Sequence, residues 1–167
     1  ESNENLTDRD MYVVKTDGIG NEEWSQTYGD ADTREMGYSV QQTMDGGYII
    51  GGTRDHWPPS LGDSDMILVK TTEAGSEEWT QTFESEEGSE DSGYDVLQTA
   101  DECYVLIGTT SNEEGSDAYV IKTCEDGTQP VSFFSPHSSE RKLEKVVDVM
   151  GREVNPVPNQ ILFYIYT

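Results

Sequence analysis

Short runs rich in β-branched and aromatic residues recur along the first 130 positions of the chain. The clearest is Met-Tyr-Val-Val-Lys-Thr at 11–16, which returns as Met-Ile-Leu-Val-Lys-Thr at 66–71 and as Ala-Tyr-Val-Ile-Lys-Thr at 118–123. Turn-forming residues separate these runs, which is typical of β-strands. The pattern predicts an all-β fold with almost no helix.

Other landmarks recur between these runs, in the same order. Trp24 and Trp79 each open a strand-like segment, and they lie 55 residues apart. We predict four strands in each repeat, beginning at the tryptophan. The other strands are 38–43, 48–53 and 66–71 in the first repeat, and 94–99, 104–109 and 118–123 in the second. A fixed period of this size marks a stacked or radial array, because one unit cannot bury its own apolar face.

The turn between the second and third strands has a clear sequence. Asp45-Gly46 favours the positive φ of a tight hairpin turn. The second repeat has Glu102 at the place of Gly46. If the turn keeps its conformation, Glu102 is strained by roughly 1 kcal/mol.

The loop between the third and fourth strands differs between the repeats, spanning 54–64 in the first and 110–116 in the second. Repeat proteins often build a binding face from variable loops on one edge. Trp57 in the longer loop is therefore a candidate for stacking on a sugar or anchoring a partner. The alternative is that Trp57 folds back over the edge of the sheet.

The repeats resemble those of known β-propellers. The segment from Asp17 to Trp24 is similar to the Asp/Gly…Trp turn of quinoprotein-like and Asp-box repeats. The resemblance is strongest to secreted bacterial repeats with a Thr-x-Asp-Gly-Gly-Tyr core, and it covers about residues 10–131. It implies four-stranded units of propeller-blade type. The third copy departs from the pattern at Val131, which replaces the tryptophan, and no quinone-binding or sialidase-type catalytic set accompanies the repeats.

Two repeats do not make a closed propeller, which needs roughly four to eight blades. The strand at 11–16 precedes the first full repeat and is expected to lack a blade of its own. Open apolar edges of this kind promote association. Three arrangements would cover them: a longer protein, a ring of copies, or strand donation from one subunit to the next in a fibre.

The C-terminal segment resembles the C-terminal sorting domain of the type IX secretion system of Bacteroidetes. The matching positions include Val147, Asp148, Gly151, Arg152, Glu153, Phe163 and Tyr164. The resemblance implies a short β-sandwich-like segment that the secretion machinery of the outer membrane recognises. It also implies an extracellular or outer-surface location.

The charge distribution also separates the repeats from the C-terminal segment. Residues 1–130 carry 6 of the 10 basic and 30 of the 34 acidic residues, which is the whole net charge of −24. We therefore predict an acidic β-repeat region at 1–130, a linker at 131–139 and the sorting-domain-like segment at 140–167. Nucleic acid and anionic membranes are poor partners for so acidic a surface. No apolar run reaches the roughly 18 residues of a membrane-spanning helix.

The two cysteines flank two predicted strands. If 104–109 and 118–123 form a hairpin that pairs Thr109 with Ala118, then Cys103 faces Cys124 directly. Opposite residues of an antiparallel pair lie close enough for a disulfide. The alternative is two small buried thiols. A disulfide implies an oxidising compartment.

Carboxylates recur just before the Val-Lys-Thr strands. Asp63, Asp65 and Asp117 occupy related positions on turns, and closely spaced carboxylates suit calcium. The alternative is that these side chains accept hydrogen bonds from turn amides. No other cofactor is indicated. His56 and His137 lie in a predicted loop and linker, which is a poor setting for a general base.

The sequence therefore favours a non-enzymatic, secreted or cell-surface structural or adhesive repeat protein. We expect it to self-associate through β-strand edges as a homo-oligomer or fibre, and to meet the secretion machinery through its tail. Two alternatives remain open: a glycan- or ligand-binding propeller module, and a fragment of a larger extracellular propeller enzyme.

Overall fold

The structure, a computed structural model, describes residues 9–31, 33–56, 63–113, 115–124, 131–134, 143–148, 152–155 and 162–166. The described residues form strands, turns and bends but no helix, which confirms the predicted all-β class. The strands are β1 (Met11–Thr16), β2 (Glu22–Tyr28), β3 (Thr33–Gln42), β4 (Tyr48–His56), β5 (Ser64–Thr71), β6 (Glu77–Phe83), β7 (Glu90–Gln98), β8 (Tyr104–Asn112), β9 (Gly115–Thr123), β10 (Val131–Phe134), β11 (Leu143–Asp148) and β12 (Leu162–Tyr166).

The strands pair with their neighbours in sequence. The first hairpin is β1–β2, meander A is β3–β4–β5–β6, meander B is β7–β8–β9–β10, and the C-terminal hairpin is β11–β12. Pairing within each of these units is antiparallel. Among the described residues no sheet closes on itself.

Two short parallel bridges join successive units. Ser64 in meander A pairs with Glu90 at the start of meander B. Arg9 pairs with Arg34 in the same way, between the first hairpin and meander A. The two bridges are one repeat apart, so the same junction is built twice.

The boundaries of the repeats differ from those that the sequence suggested. The tryptophan strand ends a unit instead of opening it, because a tight turn pairs it with the Val-Lys-Thr strand: Trp79 lies opposite Lys70 at the end of meander A. Trp24 likewise lies opposite Lys15. The strand at 11–16, which we predicted to lack a blade of its own, is β1 and pairs with β2 in the first hairpin.

Meander B also has its fourth strand. Val131 pairs with Lys122 in β9, in the register that Trp79 has with Lys70. Residues 131–134, which we placed in the linker, are thus β10, and the composition change near 130 does not interrupt the sheet.

The loops between the third and fourth strands are shorter than predicted. Strand β4 continues to His56, and its pairing with β5 extends to Asp55, which lies opposite Ser64. Strand β8 continues until Asn112 pairs with Gly115. These extensions form because β3 and β7 also extend upstream and supply partners. Trp57 lies outside the described residues.

Two apolar cores lie between successive units. The first, between the first hairpin and meander A, contains Met11, Tyr28, Ile50, Ile67 and Val69. The second, between the two meanders, contains Ile49, Met66, Leu68, Phe83, Val96, Tyr104, Leu106, Tyr119 and Ile121. A tryptophan–tyrosine contact borders each core: Trp24–Tyr48 at 5.6 Å and Trp79–Tyr104 at 5.8 Å between ring centroids. Each unit therefore buries its apolar face against the next.

The turn before β8 keeps the conformation of the turn before β4. Gly46 has φ 89° and Glu102 has φ 63°, so Glu102 occupies the left-handed region as expected. The structure joins Cys103 and Cys124 by a disulfide, with 4.1 Å between their Cα atoms. This is the pair that the predicted register placed face to face.

The C-terminal hairpin is small. Val146 lies opposite Tyr164 and Val147 opposite Phe163, and Val147 also bridges to Glu153. Val146 and Val147 are buried. In the described part of this segment a second sheet, which a sandwich requires, is not present.

Candidate functional site

The most distinctive surface of the molecule is the free edge of β1. The equivalent strand of meander A, β5, is paired on both edges, by β4 and β6. The same holds for β9 in meander B, which β8 and β10 flank. Among the described residues β1 is paired along one edge only, by β2. The described part of the first repeat thus consists of counterparts to the last two strands of meander A.

A groove of about 570 Å³ lies along this edge, between β1 and β3. We call it the open groove. Its lining residues are Asp10, Met11, Tyr12, Val13, Val14, Glu35, Met36, Gly37, Tyr38, Ser39, Val40 and Ile50. Most of these side chains are apolar, so the groove suits polypeptide better than a charged ligand.

Val40 in β3 shows what this groove leaves uncovered. Val40 is 56% exposed, whereas its counterpart Val96 in β7 is 4% exposed. Val96 is covered by β4 of the preceding meander: a Cβ placed on Gly51 would lie 3.0 Å from the Val96 Cβ. Within the described part of the chain, no strand covers Val40 in the same way.

The outer face of β1 is exposed as well. Tyr12 is 65% exposed and Val14 is 43% exposed. Their counterparts in β5, Ile67 and Val69, are each 1% exposed because the first hairpin packs on them. Apolar side chains clustered on an unpaired edge favour contact with another polypeptide.

The lysine of the Val-Lys-Thr strand is bound by a turn aspartate in both meanders, but not in the described part of the first hairpin. In meander A the Lys70 Nζ donates to Asp45 Oδ2 at 2.8 Å, to Glu78 Oε2 at 2.7 Å and to the Thr71 carbonyl at 3.0 Å. Only 3% of the Lys70 side chain is exposed. Burial opposes its charge, but the hydrogen bonds to the two carboxylates outweigh this effect and raise the pKa of Lys70.

The turn aspartate is held in place for this lysine. Hydrogen bonds from Lys70 and Thr43 lower the pKa of Asp45 to about 2. In meander B the Lys122 Nζ donates to Asp101 Oδ2 at 2.7 Å, and this bond lowers the pKa of Asp101. The Thr-x-Asp turn therefore places a carboxylate on the lysine in both meanders.

Lys15 has no turn aspartate among the described residues. Its one ion pair there is with Glu23, the counterpart of Glu78, and 30% of its side chain is exposed. The aspartate that completes Lys70 and Lys122 comes from the turn between the first two strands of their repeat. The described residues beside β1 do not include two such strands, so they bring no turn aspartate to Lys15.

The two junctions between units differ in charge. At the first junction Arg54 donates to Glu35 Oε1 at 2.8 Å and to Asp30 Oδ2 at 2.5 Å. At the second, Thr110 stands at the place of Arg54, and its hydroxyl lies 2.7 Å from that of Ser85. The carboxylate of Asp91 accepts hydrogen bonds from the Ser85 amide and hydroxyl.

Asp65 lies at this second junction. It is 7% exposed, and its Oδ1 has no hydrogen-bond partner among the described residues. Burial raises the pKa of Asp65; nearby His56 opposes the shift, and the carboxylates of Asp63, Glu84 and Asp91 add to it. The second junction therefore holds a buried carboxylate whose ionised form is disfavoured by its surroundings.

The predicted calcium ligands are not gathered into one site. Asp63 directly precedes β5 and Asp65 is its second residue, whereas Asp117 is in β9, opposite Thr110. No three histidine, cysteine, aspartate or glutamate side chains within the described ranges are arranged to hold a metal ion. Calcium binding stays a prediction.

A second cleft, of about 450 Å³, lies between the two meanders on the side of the Thr-x-Asp turns. Its lining residues are Met44, Asp45, Lys70, Glu78, Trp79, Gln98, Glu102 and Tyr104. It combines two aromatic rings with several charged groups, which is a composition suited to polar ligands with an apolar face.

The predicted sorting positions are only partly described. Val147, Asp148, Phe163 and Tyr164 lie in the C-terminal hairpin, Arg152 and Glu153 lie in the short described segment between its strands, and Gly151 is outside the described residues. Sequence reasoning missed the lysine–aspartate pairs of the meanders. The recurring Lys in each Val-Lys-Thr run and the recurring Thr-x-Asp turn carried that information.

Comparison with known proteins adds no family assignment. No protein-family model matches the chain, and no curated protein is significantly similar to it in sequence. Among the described residues there is also no helix long and apolar enough to cross a membrane.

Proposed function

We propose that this chain is a non-enzymatic structural or adhesive repeat protein that self-associates through its β-strand edges. The observation that carries the proposal is the free edge of β1 with the open groove beside it. Val40, Tyr12 and Val14 are exposed there, although their counterparts in complete repeats are buried. A surface of this kind is stabilised when another polypeptide covers it.

We further propose that the repeats are propeller-type blades. Support comes from the way neighbouring units meet through their first strands. The ring centroids of Tyr38 and Tyr94 lie 5.9 Å apart, and the Ser39 hydroxyl donates to Asp95 Oδ1 at 2.6 Å. Equivalent positions of β3 and β7 therefore lie side by side. A radial arrangement of blades brings equivalent inner strands together in this manner.

Secretion to the cell exterior is part of the same proposal. The sorting-like motif in the C-terminal segment supports it, and so does the disulfide Cys103–Cys124, which suits an oxidising compartment. The secretion machinery would then be a partner of the tail. Expression of the tail fused to a reporter in a type IX-secreting bacterium tests this: the reporter is expected in the medium or on the cell surface, and retention inside the cell would contradict it.

Sedimentation velocity over a hundredfold range of chain concentration tests self-association. We expect the sedimentation coefficient to rise with concentration for the wild type. Val40→Lys should keep the chain monomeric at higher concentrations, because it places a charge in the open groove. Ile19→Lys is the matched control, since Ile19 is 87% exposed in the turn before β2 and does not line the groove. A wild type that stays monomeric throughout would contradict the proposal.

A glycan- or ligand-binding module is the second candidate, and the cleft beside Trp79 favours it. A sugar that stacks on Trp79 should change tryptophan fluorescence as soluble polysaccharides are titrated in. Met44→Lys, at a 64% exposed residue lining the cleft, should weaken the response, and Ile19→Lys should not. An unchanged response in Met44→Lys would remove the cleft from consideration.

A further inference from the structure

The cleft between the two meanders has a chemistry that narrows the class of its ligand. We propose that it binds a protonated amino sugar, with the ammonium group held by carboxylates and the apolar face of the sugar ring stacked on Trp79. Because this cleft is the one that favours a glycan-binding module, the proposal rests on that candidate function and names its ligand class. The volume of about 450 Å³ is in the range of small-ligand sites.

Two aromatic rings form the apolar wall of the cleft. The ring centroids of Trp79 and Tyr104 lie 5.8 Å apart, and the ring planes are inclined by 59°. Trp79 is only partly buried against the core between the meanders, so its ring is held in place while part of it is accessible from the cleft. A flat apolar surface of this kind suits the C–H face of a sugar ring, and the aromatic face also attracts a positive charge on the same ligand.

Carboxylates form the polar wall of the cleft. Asp45, Glu78 and Glu102 line it, and Lys70 is the one cation among its described lining residues. The side chain of Asp45 is 58% exposed and that of Glu78 is 41% exposed, so both can be reached by a ligand. Three carboxylates with one ammonium group give the cleft a negative charge, which favours a cationic ligand.

Lys70 is not available to an anionic ligand. An ammonium group has three N–H donors, and the Lys70 Nζ already donates to Asp45, to Glu78 and to the Thr71 carbonyl. The carboxylate oxygens are therefore left to recognise the ligand, and they require one that donates hydrogen bonds. An amino sugar supplies an ammonium group and several hydroxyl donors on one small ring.

Glu102 distinguishes this cleft from the corresponding place at the first junction. Meander A has Gly46 at that turn position, with φ 89°. Glu102 has φ 63° and is the one non-glycine residue with positive φ within the described ranges. The left-handed conformation strains a residue with a side chain, and strained positions concentrate at binding sites. We therefore assign the Glu102 carboxylate to the ammonium group of the ligand.

Isothermal titration calorimetry with an oligomer of glucosamine tests this assignment, at about pH 5, where the amines of the oligomer are protonated. Asp45 stays ionised there, because hydrogen bonds from Lys70 and Thr43 lower its pKa to about 2. The fully N-acetylated oligomer of the same length is the matched neutral probe. We expect the charged oligomer to bind about tenfold more tightly than the neutral one, which is the scale of one charge-assisted hydrogen bond.

Two variants of Glu102 locate the binding. Glu102→Gln should remove the preference for the charged oligomer, whereas Glu87→Gln should keep it. Glu87 is the matched control because it is an exposed glutamate in the turn before β7 and does not line the cleft. Glu102→Gly should also weaken binding of the charged oligomer about tenfold. Its urea midpoint should not fall, since glycine is the residue that meander A has at this turn.

The outcomes separate this proposal from the glycan-binding candidate. Equal affinity of the wild type for the two oligomers overturns the amino-sugar proposal and keeps a neutral glycan as the ligand of the cleft. Equal effects of Glu102→Gln and Glu87→Gln also overturn it, because they would show only a general attraction of a cation to an acidic surface. If neither oligomer binds, the amino-sugar proposal is wrong, and the titration with soluble polysaccharides decides the glycan-binding candidate by itself.

Discussion

The first hairpin and the second half of meander A share one sequence pattern but have different surroundings. Strand β5 lies between β4 and β6, and its residues Ile67 and Val69 are buried. Strand β1 has only β2 beside it among the described residues, and Tyr12 and Val14 are exposed. The comparison shows that burial in this protein is set by the neighbouring unit, as expected for a repeat array whose stability depends on interfaces between units.

The largest expected difference concerns the equivalent valines of β3 and β7. Val96→Lys places a charge in the core between the meanders and should lower the free energy of unfolding by about 3 kcal/mol or more. Val40→Lys should leave the stability of the monomer nearly unchanged, because Val40 is already exposed. Urea denaturation of both variants at low concentration measures this. Equal losses would show that the open groove is covered within a single chain.

The disulfide distinguishes meander B from meander A. Cys103 and Cys124 stand where meander A has Gly47 and Thr72, which are not covalently linked. The double variant Cys103→Ser, Cys124→Ser should lose about 3 kcal/mol, since the bridge closes a loop with a sequence separation of 21. Urea denaturation with and without reductant checks the value. Wild type that is insensitive to reductant would contradict the expectation.

The lysines provide a smaller contrast. Lys70→Met should cost about 1–2 kcal/mol, because two carboxylates lose their partner but keep some contact with water. Lys15→Met should leave thermal stability within error of wild type, since Lys15 has a partly exposed partner and no turn aspartate among the described residues. A larger loss of stability for Lys15→Met than for Lys70→Met would contradict the view that Lys70 has the more complete set of partners.

Removal of a carboxylate charge should have opposite effects on stability at the two junctions. Asp65 has a raised pKa in the folded chain, so its stabilising effect is present below the unfolded value of 3.8 and is lost as pH rises through the folded value. Asp65→Asn should therefore increase stability at neutral pH by about 1 kcal/mol, and the gain should vanish near pH 3. Glu35→Gln should decrease stability because Arg54 loses the buried one of its two carboxylate partners. Melting temperatures between pH 3 and pH 7 measure both effects.

Much of the strand pattern was predictable from the sequence, because strands here are short runs of β-branched and aromatic residues between strong turn formers. The register of Cys103 with Cys124 followed from the same pattern. The grouping of strands did not. In the sequence, the tryptophan strand follows one Val-Lys-Thr strand and precedes the next repeat, so it could belong to either repeat. The pairing of Trp79 with Lys70 shows that it belongs to the repeat that precedes it.

The candidate site was harder to predict. Val40 and Val96 differ in exposure because only Val96 is covered by a strand of a neighbouring unit among the described residues, and local sequence does not contain that information. The start of β3 and the end of β4 were also hard to recognise as strand, because they carry charged residues. Glu35 and Arg54 are buried or half-buried there because they pair with each other across the sheet. Polar residues in such positions contradict the alternation rule that locates strand ends.

Hydrogen exchange of the β1 amides at increasing chain concentration tests the central claim most directly. The free edge of β1 should exchange rapidly in the dilute chain and become protected as the chain associates, while the amides of β5 stay protected throughout. If the β1 amides are as protected as those of β5 in a dilute monomer, or remain unprotected in an associated state, then this edge does not mediate association and the account is contradicted.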